Sequence, residues 1–142
     1  MFYEEKELEK FISAQDRDYA RALEEIRSGR KRTHWMWYIF PQLQGLGFSS
    51  TAQYYGIRDL EQATDYMAHP VLGPRLVEIS RALLELESSN PSSVMGCPDD
   101  LKLCSCMTLF ELAAPGEPVF AAVLEKFYRG RRDRLTLDLL GR

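Results

Sequence analysis

KRTHWMWYIFPQLQGLGFS, Lys31 to Ser49, is the stretch whose reading decides the fold. Its apolar centre, Trp35 to Phe40, admits two conformations. Thr33 is placed to cap a short helix that Pro41 ends, because the residue before a proline is pushed out of helical geometry. A strand is the competing reading. Gln42 to Phe48 then bring Gly45 and Gly47 close together, as a loop able to take positive φ or to admit a close neighbour.

The flanks settle the class. On the N-terminal side, Leu8, Phe11 and Ile12 recur at helical spacing, with Glu4, Glu5 and Glu7 near the positive end of the dipole. Asp16 is placed to open a second helix with Tyr19, Leu23 and Ile26 on one face and Gly29 as its stop. On the C-terminal side, Ser49 or Ser50 caps a helix through Tyr55. Asp59 with Gln62 matches a capping box, and His69-Pro70 ends that helix. Gly73-Pro74 is expected to start the longest helix, with Leu76, Ile79, Leu83 and Leu86 on its buried face. SSNPSS, Ser88 to Ser93, reads as a polar loop. Asp99 or Asp100 is expected to cap a helix placing Leu103, Met107 and Phe110 on one face. Pro115, Gly116 and Pro118 interrupt, Phe120, Val123, Leu124 and Phe127 mark another helix, and Asp133 caps a last one through Leu140. No run sustains period-two alternation and β-branched residues are sparse. The expectation is an all-α single domain over residues 1–142, a compact bundle of about seven to eight short helices.

Composition excludes several classes. A chain of 142 residues is long enough for one hydrophobic core and not two. Hydrophobic residues at 45% and charged residues at 27% are globular values. The longest apolar run, Trp35 to Pro41, is far short of the roughly 20 residues that span a bilayer, so no membrane is expected as partner. MFYEEKELEK lacks the basic-then-apolar layout of a signal peptide. Cys97, Cys104 and Cys106, odd in number and irregular in spacing, make no disulfide framework, and a reducing cytoplasm is the expected location. A net charge of −3 argues against a duplex nucleic acid partner. Charge is nevertheless uneven, with one basic cluster at Arg27, Arg30, Lys31 and Arg32 and a second at Arg129, Arg131, Arg132 and Arg134.

Four strings, KRTHWMWYIFPQLQGLG, YYGI (Tyr54 to Ile57), HPVLGPRL (His69 to Leu76) and DDLKLCSCMTLF (Asp99 to Phe110), resemble the bacterial and fungal domain-of-unknown-function family numbered 1810. The resemblance runs from about Leu8 to about Leu140, and HWMW-x-x-FPQ is highly specific to it. It implies a compact helical domain without an established activity. Some members carry the label calpastatin, which does not suit this chain, since inhibitors of that type are disordered and repetitive. Cys104 and Cys106 depart from the family's usual basic or polar residue and serine, whereas Lys102, Ser105, Met107, Thr108 and Phe110 match.

The same segment holds the candidate chemistry. Lys31 and Arg32 offer charged donors, His34 titrates near neutrality and is the candidate acid or base, and Trp35 and Trp37 offer π faces. Gln42 adds an amide, the Gly45-x-Gly47 loop backbone N–H groups, and Lys102 a further cation from a later helix. Together they suit a small anionic ligand, nucleotide-like or phosphate-bearing. The rival is a protein-interaction or self-association module with a Trp-rich surface, forming a homo-oligomer; a third reading buries both tryptophans for folding alone. His69 is expected to bond the last carbonyls of its helix. Lys102 and Ser105, three apart, admit a Ser–Lys arrangement. The histidines and cysteines lack structural-zinc spacing, so no metal or cofactor is expected.

Overall fold

The computed structural model describes residues 2–142, with side chains from residue 6 onward; the side chains of Glu4 and Glu5 lie outside the described ones. Helix α1, Phe2–Arg27, is continuous where two helices were expected. Asp16 does not open a helix, because no glycine or proline precedes it and Ala14 and Gln15 continue the buried face. The stop at Gly29 is as expected. Its φ of +91° lets its N–H reach Ile26 O (2.8 Å) while the Arg30 N–H reaches Glu25 O (3.1 Å), a Schellman closure.

Trp35 to Phe40 is helical, as the single turn α2 (Met36–Ile39). Thr33 does not cap it, since its hydroxyl is committed to Glu25. In the loop that follows, Leu43 and Ile57 form an isolated parallel bridge. Ser49 caps α3 (Ser50–Tyr55), accepting from the Ala52 N–H. Asp59 caps α4 (Leu60–Ala68), and Gln62 returns its carbonyl oxygen to the N–H of Arg58, one residue before the usual capping-box partner.

Helix α5 is Leu72–Leu84, half the length of α1, so it is not the longest. Pro74 sits within its first turn, where a missing N–H costs nothing. Ser88 to Ser93 is not all loop: Asn90 accepts from the N–H groups of Ser92 and Ser93, Pro91 takes the first helical position, and α6 (Pro91–Met95) follows. Neither Asp99 nor Asp100 caps α7 (Asp99–Ala113). The cap position is Pro98, and both acids lie in the first turn, where the dipole favours them. Helices α8 (Val119–Tyr128) and α9 (Arg134–Leu139) complete nine among the described residues, with Asp133 capping α9 as expected.

The fold is an all-α single domain organised around α7. Ser105 to Phe110 are buried without interruption, so α7 has no solvent face there and is enclosed by α4, α6, α8 and α9. Helix α5 joins this centre to α1. No described helix is long and apolar enough to cross a membrane.

Candidate functional site

Helix α1 turns a polar stripe inward. Gln15, Asp18 and Glu25, with Ala22 completing the spacing, are all buried on one face. This stripe holds the Lys31–Phe40 segment. Gln15 Nε2 donates to Tyr38 O (2.8 Å) and to the Tyr66 hydroxyl (3.0 Å), and the Tyr38 hydroxyl donates to Asp18 in a short hydrogen bond. Asp18 is also paired with Arg21 at 2.8 Å and Arg17 at 3.3 Å.

Glu25 is the principal anchor. Its carboxylate accepts from the N–H of Arg32 (2.7 Å) and Thr33 (3.0 Å), the Thr33 hydroxyl (2.6 Å) and the Trp35 indole N–H (2.9 Å). Burial pushes its pKa up, but the bonds from Thr33, Arg32 and Trp35 outweigh that and hold the carboxyl at a pKa of about 2. Sequence reasoning missed Glu25. The available signal was the stripe itself, acids and amides at helical spacing among Phe11, Ala14, Ala22 and Ile26.

The predicted site residues divide accordingly. Trp35 is fully buried. Lys31 turns inward, its Nζ 2.9 Å from Asp99, 2.6 Å from Thr33 O and 4.9 Å from the Trp35 ring centroid. Asp99 also faces Lys102, at 3.7 Å. Arg32 and His34 are exposed, and neither side chain has a polar partner among the described residues. His34 and His69 share no bond. The His69 ring does not donate to the last carbonyls of α4; its Nδ1 accepts from the N–H of Val71 (3.0 Å) and Leu72 (3.4 Å), so it serves the start of α5. Ser105 is bonded to Asp133 at 3.1 Å, away from Lys102, so no Ser–Lys pair forms.

Three predicted residues do meet. Trp37, Gln42 and Lys102 line one cavity with Met36, Phe40, Ala52, Tyr55 and Gly56. Lys102 Nζ lies 5.6 Å from the Trp37 ring centroid, a cation–π distance. The Trp37 indole N–H and the Gln42 amide have no hydrogen-bond partner among the described residues. Gly47 abuts this corner, since a Cβ there would stand 3.3 Å from Gln42 Nε2. Gly45 takes φ +101° near Leu139. The enclosed volume, about 10 Å³, is room for one water and well below the ≈300 Å³ of a drug-sized site. No group of three or more potential metal ligands converges among the described residues.

Of the three free cysteines, Cys97 is exposed and the other two are held as protonated thiols. Burial raises the Cys104 thiol to about 11 and the fully buried Cys106 well above its ordinary value.

The fold and this corner define a small helical domain with a partly open recess lined by Trp37, Gln42 and Lys102. A family model described as "Protein of unknown function (DUF1810)" matches residues 5–140, and the chain belongs to that family. It is similar to the crystal structure of a conserved hypothetical protein from Mycobacterium tuberculosis, with 47% identity, a TM-score of 0.93, and coverage of 95% of this chain and 96% of that one. No curated protein matches the chain.

Proposed function

We propose that the chain binds a small anionic ligand at the Trp37–Gln42–Lys102 corner, with Lys102 as the cation, Trp37 and Gln42 as hydrogen-bond donors, and His34 outside the contact. The observation that carries this is that Lys102, Trp37 and Gln42 line one recess, with the Trp37 indole N–H and the Gln42 amide unpartnered among the described residues. Polar groups so placed look for an acceptor. The recess admits a single oxygen of a carboxylate or phosphate, and the rest of the ligand lies outside over α3 and the Gly45–Gly47 loop. Lys31 and Trp35 serve the fold beneath it.

Titration with AMP and with inorganic phosphate, followed by tryptophan emission, tests the proposal. Saturable quenching that Lys102→Gln weakens about tenfold and Trp37→Phe abolishes is expected. An unchanged spectrum with both probes sinks it.

One observation favours the interaction reading instead. Phe48 is 85% exposed, Leu139 54%, and Gly45 places the loop against Leu139. A sedimentation coefficient that rises with concentration and is restored by Phe48→Ser would support self-association.

A further inference from the structure

The second basic cluster is unevenly neutralised. Arg132 grips Glu111 through two bonds, and Arg134 bonds Asp138 at 3.0 Å and Arg142 O at 2.7 Å. The guanidinium groups of Arg129 and Arg131 have no partner among the described residues. They are not needed as caps for α8, because the N–H of Gly130 already reaches Leu124 O (3.0 Å) and that of Arg131 reaches Tyr128 O (3.1 Å).

Both arginines line a hollow of about 270 Å³ whose other walls are Cys104, Phe127 and Tyr128. The surface of the hollow is mostly apolar, and Arg129 and Arg131, both exposed, are its charged residues. The Tyr128 hydroxyl is committed to Asp100 O, so the ring presents a surface without a free donor. Asp133, the acid whose charge acts on Cys104, is turned to Ser105 and Thr136. Arg129 holds this place in a left-handed conformation, φ +56°, where glycine is the usual residue.

We infer that this hollow between α7 and the α8–α9 turn is a second binding site, for a small aromatic anion whose ring lies against Phe127 and Tyr128 and whose anionic group lies between Arg129 and Arg131. The volume fits one substituted ring. A guanidinium pair suits a phosphate or carboxylate in planar, bidentate contact, and the aromatic walls select against a bare inorganic ion. The site is separate from the Trp37 corner and does not depend on it.

Phenyl phosphate is the probe, with inorganic phosphate as control, read by calorimetry and by backbone amide shifts. Phenyl phosphate is expected to saturate below about 1 mM and to bind at least about tenfold more tightly than phosphate. Arg129→Gln and Arg131→Gln, both exposed and remote from the core, should each weaken it about fivefold to tenfold, with shifts centred on residues 127–132. Cys104→Phe, which fills the hollow, should abolish binding, while Lys102→Gln should leave it unchanged. No binding at roughly 5 mM, equal affinity for both probes, retention of affinity in the arginine double variant, or loss in Lys102→Gln would overturn the inference.

Discussion

Trp35 donates its indole N–H to Glu25 at 2.9 Å, and this bond joins the most recognisable string in the sequence to the last turn of α1. Glu25 accepts four bonds from three residues of KRTHW, so the string is conspicuous chiefly because it closes around a buried carboxylate. Such a carboxylate is kept ionised by its donors, and the donors are left unsatisfied if it is removed.

Acid stability follows from this bond set. Glu25 is held at about 2 against an ordinary 4.5. A depressed carboxyl contributes stability that is complete above its unfolded value and is lost as pH falls from about 4.5 through 2. The contribution is about 3 kcal/mol. Chemical denaturation should therefore show a steep loss of stability across that window. Glu25→Ala should flatten the acid limb and cost roughly 3–5 kcal/mol at neutral pH. An acid limb unchanged by the substitution would refute the role.

Lys126 should prove structural as well. Its ammonium donates to Leu83 O and Leu84 O, both at 3.0 Å, and to Leu86 O, closing the C-terminal end of α5 from α8. Lys126→Met keeps the aliphatic stem and removes the donors. The expected loss is about 2 kcal/mol, a fall in Tm of roughly 4–8 °C by calorimetry.

These two anchors show which parts of the fold were legible in sequence and which were not. Gly29, Ser49 and Asp133 were readable because a cap is made through bonds that span three to five positions. Asn90-Pro91 carried an equally local signal, a cap followed by proline at the first position, but its polar surroundings made it read as loop. Asp16 shows the converse: an acid tolerated inside a long helix looked like a start. Glu25 and Lys126 were not readable, since their partners lie 7–10 and 40–43 positions away. In the candidate site, residue type pointed to the right segment, yet Lys31 and Trp35 face inward while Trp37, Gln42 and Lys102 meet. Only the tertiary approach of Lys102 on α7 to Trp37 on α2 could separate them.

Gly47 can be tested by compensation. Its backbone is not left-handed, but a Cβ there would stand 2.6 Å from Ala52 Cβ. Gly47→Ala should cost about 1–3 kcal/mol by overpacking. Ala52→Gly removes the opposing methyl at a cost of about 1 kcal/mol of helix propensity. The double variant should be more stable than Gly47→Ala alone in urea denaturation; simple additivity would show that the contact does not matter.

His69 predicts a tautomer-dependent cap. Because Nδ1 accepts from two N–H groups, that nitrogen is unprotonated and the ring carries its proton on Nε2. His69→Asn supplies an oxygen at nearly the same place and should be within about 0.5 kcal/mol of wild type, while His69→Ala should lose about 1 kcal/mol. A direct reading is the Nδ1 and Nε2 nitrogen shifts near neutral pH. Equal stability of the two variants would exclude the cap.

The two tryptophans should separate in solution. Trp35 is fully buried with its N–H bonded, whereas Trp37 is half-buried with its N–H free of protein partners. Trp37→Phe should leave a blue-shifted emission that acrylamide quenches poorly. Trp35→Phe should leave a red-shifted, quenchable emission and should destabilise the fold by about 1–3 kcal/mol, through the donor lost to Glu25. The Trp37 variant should keep near-wild-type stability, because its ring is a wall of the recess and packs only partly against the core. If Trp37→Phe proved the more destabilising of the two, the recess would have to be counted as core, and the proposed ligand contact would lose its support.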